Sequence, residues 1–341
     1  MQKIEELANK FRNKRILVVG DMIADVYLQG NIARISREAP VLVLEETSKD
    51  VVAGGAANVV ANLAEMGGEV YAVGMVGDDF YGESLKNILK RHQVHIEGIV
   101  TDKTRPTISK IRVIAGGRAT VSQQIVRIDR EDKDPPSKKV EAALIAKLDK
   151  ILPNIDGIVL SDYGSATITK AIKTLVINHA DKNKIANMVD SRYNIGDYVG
   201  IGFVKQNDAE LSAAVGRPIT NMTSLISAGT ELLEKLNANG VLITRGEAGM
   251  SLFERGGAVH HIPVSNVSEV FDVSGAGDTC IATFILGLTA NLPPVVSARI
   301  ANYASGIAVR KLGTSTVNIK ELINVLDKAQ FIDKGYFNVS G

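Results

Sequence analysis

"GIVLSDYG", residues 157–164, runs a short apolar stretch into a polar, glycine-ended corner. An uninterrupted apolar run of that length suits a strand buried on both faces, with its polar end at the carboxyl edge of a parallel sheet. The same device recurs in "IANMVDSR" (185–192), "IGFVKQND" (201–208), "GVLITRGEAG" (240–249) and, near the N-terminus, "RILVVGD" (15–21). Helical patterns lie between: Val140–Leu152, Lys170–Lys182 and Leu225–Asn237. Earlier, an alanine-rich helix opened by glycines, "GGAANVVANLAEMGG" (54–68), precedes a strand, "EVYAVGMVGDD" (69–79), and an amphipathic helix, "FYGESLKNILKRHQV" (80–94). Each apolar run alone could be a helix core, but their regular spacing makes strands the better reading. Strand alternating with helix predicts an α/β fold: a doubly wound, mostly parallel sheet with helices on both faces and ligands at the carboxyl ends of its strands.

Two segments break the rhythm. "VLVLEETSKDV" (41–51) has no helix beside it, and "TISKIRVIAGGRATVSQQIVRID" (107–129) reads as a hairpin turning at Gly116–Gly117. Both are read as strands of one small β-sheet lid, inserted at about 26–50 and 106–130. The expected organisation is one domain over residues 1–330 and a weakly patterned tail, 331–341.

The 341 residues suffice for a sizeable core. Lys plus Arg (39) nearly equals Asp plus Glu (38), which argues against a nucleic-acid or membrane-surface partner. The single cysteine, Cys280, sits in an apolar run, so there is no disulfide framework and no cysteine-rich metal site. The first residues, "MQKIEELANKFRNKR", lack a signal peptide's apolar centre, and the longest apolar stretch, Cys280–Ala290, is too short to span a bilayer. These features predict a cytoplasmic protein.

"FDVSGAGDTCIATFILGL" (271–288) is the first stretch able to carry chemistry. "EVFDV" suits a strand or extended lead-in, and "TCIATFILGL" a helix interior. Gly275, Ala276 and Gly277 then open a helix, where backbone N–H groups lack partners and the dipole favours an anion. Asp278 follows directly and is ionised at neutral pH, an unperturbed Asp titrating near ~3.9. An anion hole beside a carboxylate suits phosphoryl transfer, the carboxylate taking a proton from the attacking hydroxyl. An ordinary strand-to-helix corner, with Asp favoured by the dipole alone, explains the same residues equally well.

Other phosphate and metal motifs are absent: no Gly-Lys pair, no G-x-G-x-x-G, no H-E-x-x-H. His260–His261, the one adjacent pair among five histidines, reads as surface residues on a hairpin strand. In "AGGAANVVANL" (53–63), Gly54 and Gly55 would let a substrate touch the backbone, and the Asn58 amide could bond sugar hydroxyls. Asp21, ending the first strand, could take two hydroxyls. A glycine–alanine helix packed tightly on the sheet is the simpler reading of that segment taken alone.

Together these residues resemble the ribokinase-like (PfkB) family of sugar kinases, from "VVGDMIADVY" (18–27) to "GTSTV" (313–317). The resemblance rests on Gly54–Asn58 and on "DVSGAGD" (272–278), close to the family's D-T-x-G-A-G-D, with Val273 where Thr is usual. "NDAE" (207–210) is similar to its N-x-x-E motif, "TRGEAG" (244–249) to its nucleotide loop and "ANYASGIAVRKLGT" (301–314) to its adenine-side segment. The resemblance implies ATP–Mg²⁺ as donor, a sugar hydroxyl as acceptor, Asp278 as base and Gly275, Ala276 and Gly277 as anion hole. It implies that Thr244, Gly246, Gly249, Asn302, Asn207 and Gly277 contact ATP, and that Asn207 and Glu210 organise Mg²⁺ through water. Members often bind a monovalent cation such as K⁺ beside this turn, near Asp272, Ser274, Ala308 and Gly313.

"RISREAPVLVLEE" (34–46), "SDYG" (161–164) and "QQIVRIDRED" (123–132) are further similar to the family's bacterial heptose 7-phosphate kinases, with Arg37 where Pro is usual. That resemblance implies phosphorylation of O1 of D-glycero-β-D-manno-heptose 7-phosphate, in making the lipopolysaccharide inner core. With no H-x-G-H transferase motif, the chain is expected to be a stand-alone kinase. The acceptor's phosphate needs cations, and Arg34, Arg37, Lys110, Arg112, Arg127 and Arg130 cluster on and around the lid. Edge-strand cations that deter aggregation would look the same. Asp162 and Asp190, at strand ends, join Asp21, Gly54, Gly55 and Asn58 as candidate acceptor contacts, and Arg192 follows in "DSR". A homodimer through the lid is also implied. The alternatives are a ribokinase-like kinase for a ketose, another sugar phosphate or a nucleoside, or a non-catalytic sensor on the same fold.

Overall fold

The computed structural model describes residues 2–116, 122–265 and 270–331. In chain order, α1 (Gln2–Phe11) and β1 (Arg15–Gly20) precede β2 (Met22–Ile35), β3 (Leu42–Gly55) and α2 (Ala56–Glu65). Next come β4 (Glu69–Gly77), α3 (Phe80–Arg91), β5 (His95–Asp102), β6 (Ile108–Gly116) and β7 (Gln123–Arg130). The second half runs α4 (Lys138–Ile151), β8 (Gly157–Asp162), α5 (Lys170–Asn183), β9 (Ala186–Ser191), β10 (Phe203–Asn207), α6 (Asp208–Val215) and α7 (Met222–Leu236). It closes with β11 (Gly240–Thr244), β12 (Met250–Glu254), β13 (Val259–Ile262), α8 (Ala276–Thr289), α9 (Pro294–Ala308) and α10 (Ile319–Lys328).

Nine strands form the main sheet in the order β13-β12-β11-β10-β9-β8-β1-β4-β5. It is parallel from β11 to β5, and the terminal pairs β11/β12 and β12/β13 are antiparallel. Successive residues of β1 enter different cores. Ile16 and Val18 pack with residues of α2, α8 and α9, whereas Leu17 and Val19 pack with α4, α5 and α7. Burial on both faces is what the short apolar runs predict. The expected doubly wound sheet is therefore present.

The small sheet has the order β3-β2-β6-β7. β2 pairs antiparallel with β3 and parallel with β6, and β7 closes the edge antiparallel to β6. Its strands are longer than the alternation of residue types suggests. β2 leaves the main sheet immediately after Asp21, and β3 runs straight into α2 at Gly55. That junction is tight: a Cβ on Gly54 would lie 2.5 Å from an Asp25 carboxylate oxygen. Gly117, half of the expected hairpin turn, lies outside the described residues, as does the tail beyond Phe331. Residues 270–273 form no strand; the Phe271 and Asp272 N–H groups donate to the Val309 carbonyl at 2.9 and 3.2 Å.

Candidate active site

A cavity of about 1080 Å³ opens between the carboxyl ends of β8–β11 and the inner face of the small sheet. Pockets for one drug-sized ligand run from roughly 300 to 1,000 Å³, so this cavity has room for one large ligand or two small ones. Helix α8 begins in its wall. Gly275 is the N-cap with φ 78°, a left-handed conformation that favours glycine. A Cβ there would also lie 2.7 Å from Asn58 Nδ2. The Ala276 N–H turns back to the Val273 carbonyl at 3.3 Å, and the first-turn N–H groups after it have no intrahelical partner. Val273, the departure from the usual signature, is 70% exposed, so a side chain there need not pack.

Asp278 is 5% exposed, and its two oxygens are held by different elements. Asn58 Nδ2, on α2, donates to Oδ2 at 2.8 Å, and the Tyr163 hydroxyl donates to Oδ1 at 2.7 Å. Burial is the dominant influence on this carboxyl and raises its pKa to about 6. The Asn58 and Tyr163 donors and Lys205 pull the other way, and Asp190 pushes with burial. Lys205 Nζ lies 2.6 Å from Asp190 Oδ2, and a Cβ on Gly277 would lie 2.8 Å from that Nζ. The helix N-terminus and a buried ammonium thus converge beside one carboxylate. Burial lowers the Lys205 pKa, but Asp190 and Glu210 outweigh it and hold the ammonium above its ordinary value.

Asn207 and Glu210 form the capping box of α6: Asn207 Oδ1 accepts from Glu210 N, and Glu210 Oε2 accepts from Asn207 N, both at 2.8 Å. Both residues still line the cavity. The pairing leaves Glu210 Oε1 as the open oxygen, in a carboxyl that burial pushes up in pKa. One oxygen donor fits a cation that keeps most of its water, as Mg²⁺ does. Thr244, Gly246, Gly249 and Asn302 line the far end of the cavity. The Asp272 carboxylate ties Ser274 N (2.8 Å) to Gly313 N (3.0 Å) just behind the turn. Ala308 is buried, and its carbonyl accepts from Lys311 N at 3.0 Å, which leaves the oxygen a second lone pair.

On the acceptor side several expectations change. Asp21 is 1% exposed and accepts from the N–H groups of Tyr163 (2.8 Å), Ser165 (3.2 Å) and Thr167 (3.3 Å). It anchors the loop after β8 and is closed to a hydroxyl. Asn58 is likewise occupied, donating to Asp278 and accepting from Asn62 Nδ2 at 3.1 Å. Gly55 reaches the cavity, whereas Gly54 faces Asp25. Arg34 and Arg37 are exposed and do not line the cavity, and Arg130 lies 4.0 Å from Asp79. Lys110, Arg112 and Arg127 do line it. Arg112 is paired with Asp25 at 2.6 Å, and Arg127 with Asp129 at 2.8 Å. Asp162 reaches the wall but accepts from Gly164 N (2.9 Å), Ser191 Oγ (2.8 Å) and the Tyr198 hydroxyl (2.7 Å). Asp190 lines the cavity as the partner of Lys205.

Sequence reasoning passed over Asp25, Tyr163 and Lys205, all in the cavity wall. A signal existed for each. Asp25 is a carboxylate in a strand otherwise apolar to Val26, Tyr163 belongs to "SDYG", and Lys205 is a cation inside a buried run.

A family model described as pfkB family carbohydrate kinase matches residues 13–321. The bifunctional protein HldE of Pelobacter propionicus is 40% identical over 326 residues, covering 95% of this chain and 66% of its own length. The HldE of Citrifermentans bemidjiense is 41% identical over 323 residues, 94% of this chain and 65% of that protein. The chain therefore spans just under two thirds of these relatives' length. Among solved structures, phosphofructokinase-2 of Escherichia coli in complex with fructose-6-phosphate superposes with a TM-score of 0.76 at 20% identity, covering 93% of this chain and 99% of that one. Arabidopsis thaliana ribokinase complexed with ribose and ATP gives 0.72 at 20% identity, covering 92% and 99%. At these identities the structures speak for the fold, and the family match for the lineage: the chain belongs to the pfkB family of carbohydrate kinases.

Proposed function

We propose that this carbohydrate kinase transfers the γ-phosphoryl of ATP to O1 of D-glycero-β-D-manno-heptose 7-phosphate, giving the 1,7-bisphosphate. The observation that carries the kinase reading is a buried carboxylate, Asp278, in the first turn of a helix whose N-terminus opens into a cavity large enough for two ligands. The heptose reading is supported by the resemblance of residues 34–46 and by the cations Lys110, Arg112, Arg127 and Arg192 on the cavity's acceptor side.

In this reading Asp278 takes the proton of the attacking hydroxyl. The Gly275–Gly277 turn and Lys205 stabilise the negative charge on the moving phosphoryl. Thr244, Gly246, Gly249 and Asn302 hold the nucleotide. Asn207 and Glu210 would hold Mg²⁺ through water, and the ion, when bound, neutralises phosphate charge. A monovalent cation such as K⁺ would lie against Asp272, Ser274, Ala308 and Gly313. The small sheet acts as a lid that excludes water, the competing acceptor. ATP as donor supports a cytoplasmic setting for the reaction. Among the described residues no helix is long and apolar enough to cross a membrane.

The deciding assay gives the purified protein ATP–Mg²⁺ and a panel of sugars, sugar phosphates and nucleosides. Preferred ADP production with the heptose 7-phosphate, and a product phosphorylated at C1, is expected. Preference for an unphosphorylated ketose or a nucleoside would reject the heptose assignment. Sugar binding without ADP production from any acceptor would favour a sensor.

We also infer a homodimer through the small sheet. Ile35, Val41, Leu42, Ile125, Val126 and Ile128 are exposed on it, a concentration of apolar surface unusual for a free face. Ile128→Lys is expected to convert a dimer to monomers in analytical ultracentrifugation; a wild-type monomer would refute the interface.

A further inference from the structure

Tyr163 stands where the acceptor end of the cavity meets the base. Its backbone N–H is anchored by buried Asp21 at 2.8 Å, which fixes the loop after β8 to the end of β1. Two cations that face the cavity lie over its ring, Lys110 Nζ at 5.2 Å and the Arg192 guanidinium carbon at 5.0 Å from the ring centre. Its hydroxyl reaches Asp278 Oδ1 at 2.7 Å. Building on the assignment of Asp278 as base, we propose that Tyr163 is a positioning residue for it: the Tyr163 hydroxyl on Oδ1 and the Asn58 amide on Oδ2 lock the rotation of the carboxylate towards the acceptor.

The geometry explains three features that acceptor binding alone leaves unexplained. Asp21 is buried because it holds the tyrosine's loop. Asn58 is turned away from the cavity because it holds the second oxygen. The cations over the ring add contacts that hold it in place while its hydroxyl reaches Asp278. Burial and the nearby Asp278 charge keep the Tyr163 phenol well above its ordinary pKa, so it remains a donor throughout the working range. The other charged groups that face Asp278 are Asp190 from β9, which disfavours its ionised form, and Lys205 from β10, which favours it.

Tyr163→Phe keeps the ring under Lys110 and Arg192 and removes only the donor. A hydrogen bond to a charged group contributes about 1.5–3 kcal/mol, so its loss raises the Asp278 pKa by about one to two units. The acidic limb of the kcat/KM profile is expected to move to higher pH by that amount, with KM for ATP unchanged. In an Asp278→Asn background the same substitution should have no further effect. Incorporation of 3-fluorotyrosine at 163, a stronger donor of nearly the same shape, should move the limb down. An unmoved limb in both replacements, or losses that multiply with Asp278→Asn, overturns the assignment. The two readings fail differently. If wild-type enzyme has no acidic limb that depends on Asp278, the base itself is wrong. If it has one that ignores Tyr163, only the positioning role is.

Discussion

Asp278→Asn is expected to lower kcat by roughly 10²–10⁴-fold, the range for removal of a general base, and to leave ATP binding nearly unchanged. The substitution is close to isosteric, and Asp278 sits apart from Thr244, Gly246 and Asn302 at the nucleotide end. Wild-type kcat/KM should rise with pH through about 6, where Asp278 loses its proton, and the variant should lack that limb. A folding defect can be separated from a catalytic one by linkage. The folded-state pKa of Asp278 lies above the ordinary carboxylate value, because burial disfavours the charge. Folded protein therefore binds this proton more tightly than unfolded chain, and the side chain's contribution to stability falls as pH rises from the ordinary Asp value to about 6. Wild type should lose melting temperature from this group between pH ~4 and ~6, and Asp278→Asn should not. A variant with near-normal turnover removes Asp278 from the chemistry.

How far the site was legible follows from what each residue depends on. The strands were legible because a parallel strand is buried on both faces and writes that fact in consecutive residues, as Ile16 to Val19 do. The glycine turn was legible because Gly275 and Asp278 sit in one local segment whose helix start carries its own electrostatics. Asp21 and Asp25 could not be told apart in this way. They lie four residues apart, and the chain crosses from the main sheet to the small sheet between them, which sends one carboxylate beneath a loop and the other into the cavity. The cations divide for a similar reason. Lys110 lies opposite Asp25 and Arg112 opposite Tyr27 because β2 and β6 pair in parallel register, whereas Arg34 rides the far end of β2 into solvent. Register between strands separated by most of a hundred residues is set by packing, and no local pattern records it.

Lys205→Met is expected to damage stability and turnover together. Lys205 is 5% exposed, and its ammonium is the ion-pair partner of Asp190. Methionine fills the volume but leaves Asp190 charged beside Asp278 with no cation. Breaking a buried pair from one side costs about 3–5 kcal/mol, and the partial exposure of Asp190 places the loss near the lower figure. The pair raises the Lys205 pKa above its ordinary value. Its stabilisation is thus complete at neutral pH and disappears only in strongly alkaline solution, as pH rises through the folded-state value, so the destabilisation should be the same across the neutral range. The kinetic loss has a different origin. The ammonium lies beside Gly277 at the mouth of the anion hole, where one preorganised donor is typically worth about 10²–10³-fold in kcat. It also lowers the pKa of Asp278, so its removal should push the acidic limb above about 6. Adding Asp190→Asn separates the two losses. The double variant removes the uncompensated charge and should regain most of the unfolding free energy in urea titrations, yet turnover should stay low because the cation is still missing. Recovery of both together would mean that Lys205 acts only by balancing Asp190, and that the anion hole works through its backbone donors alone.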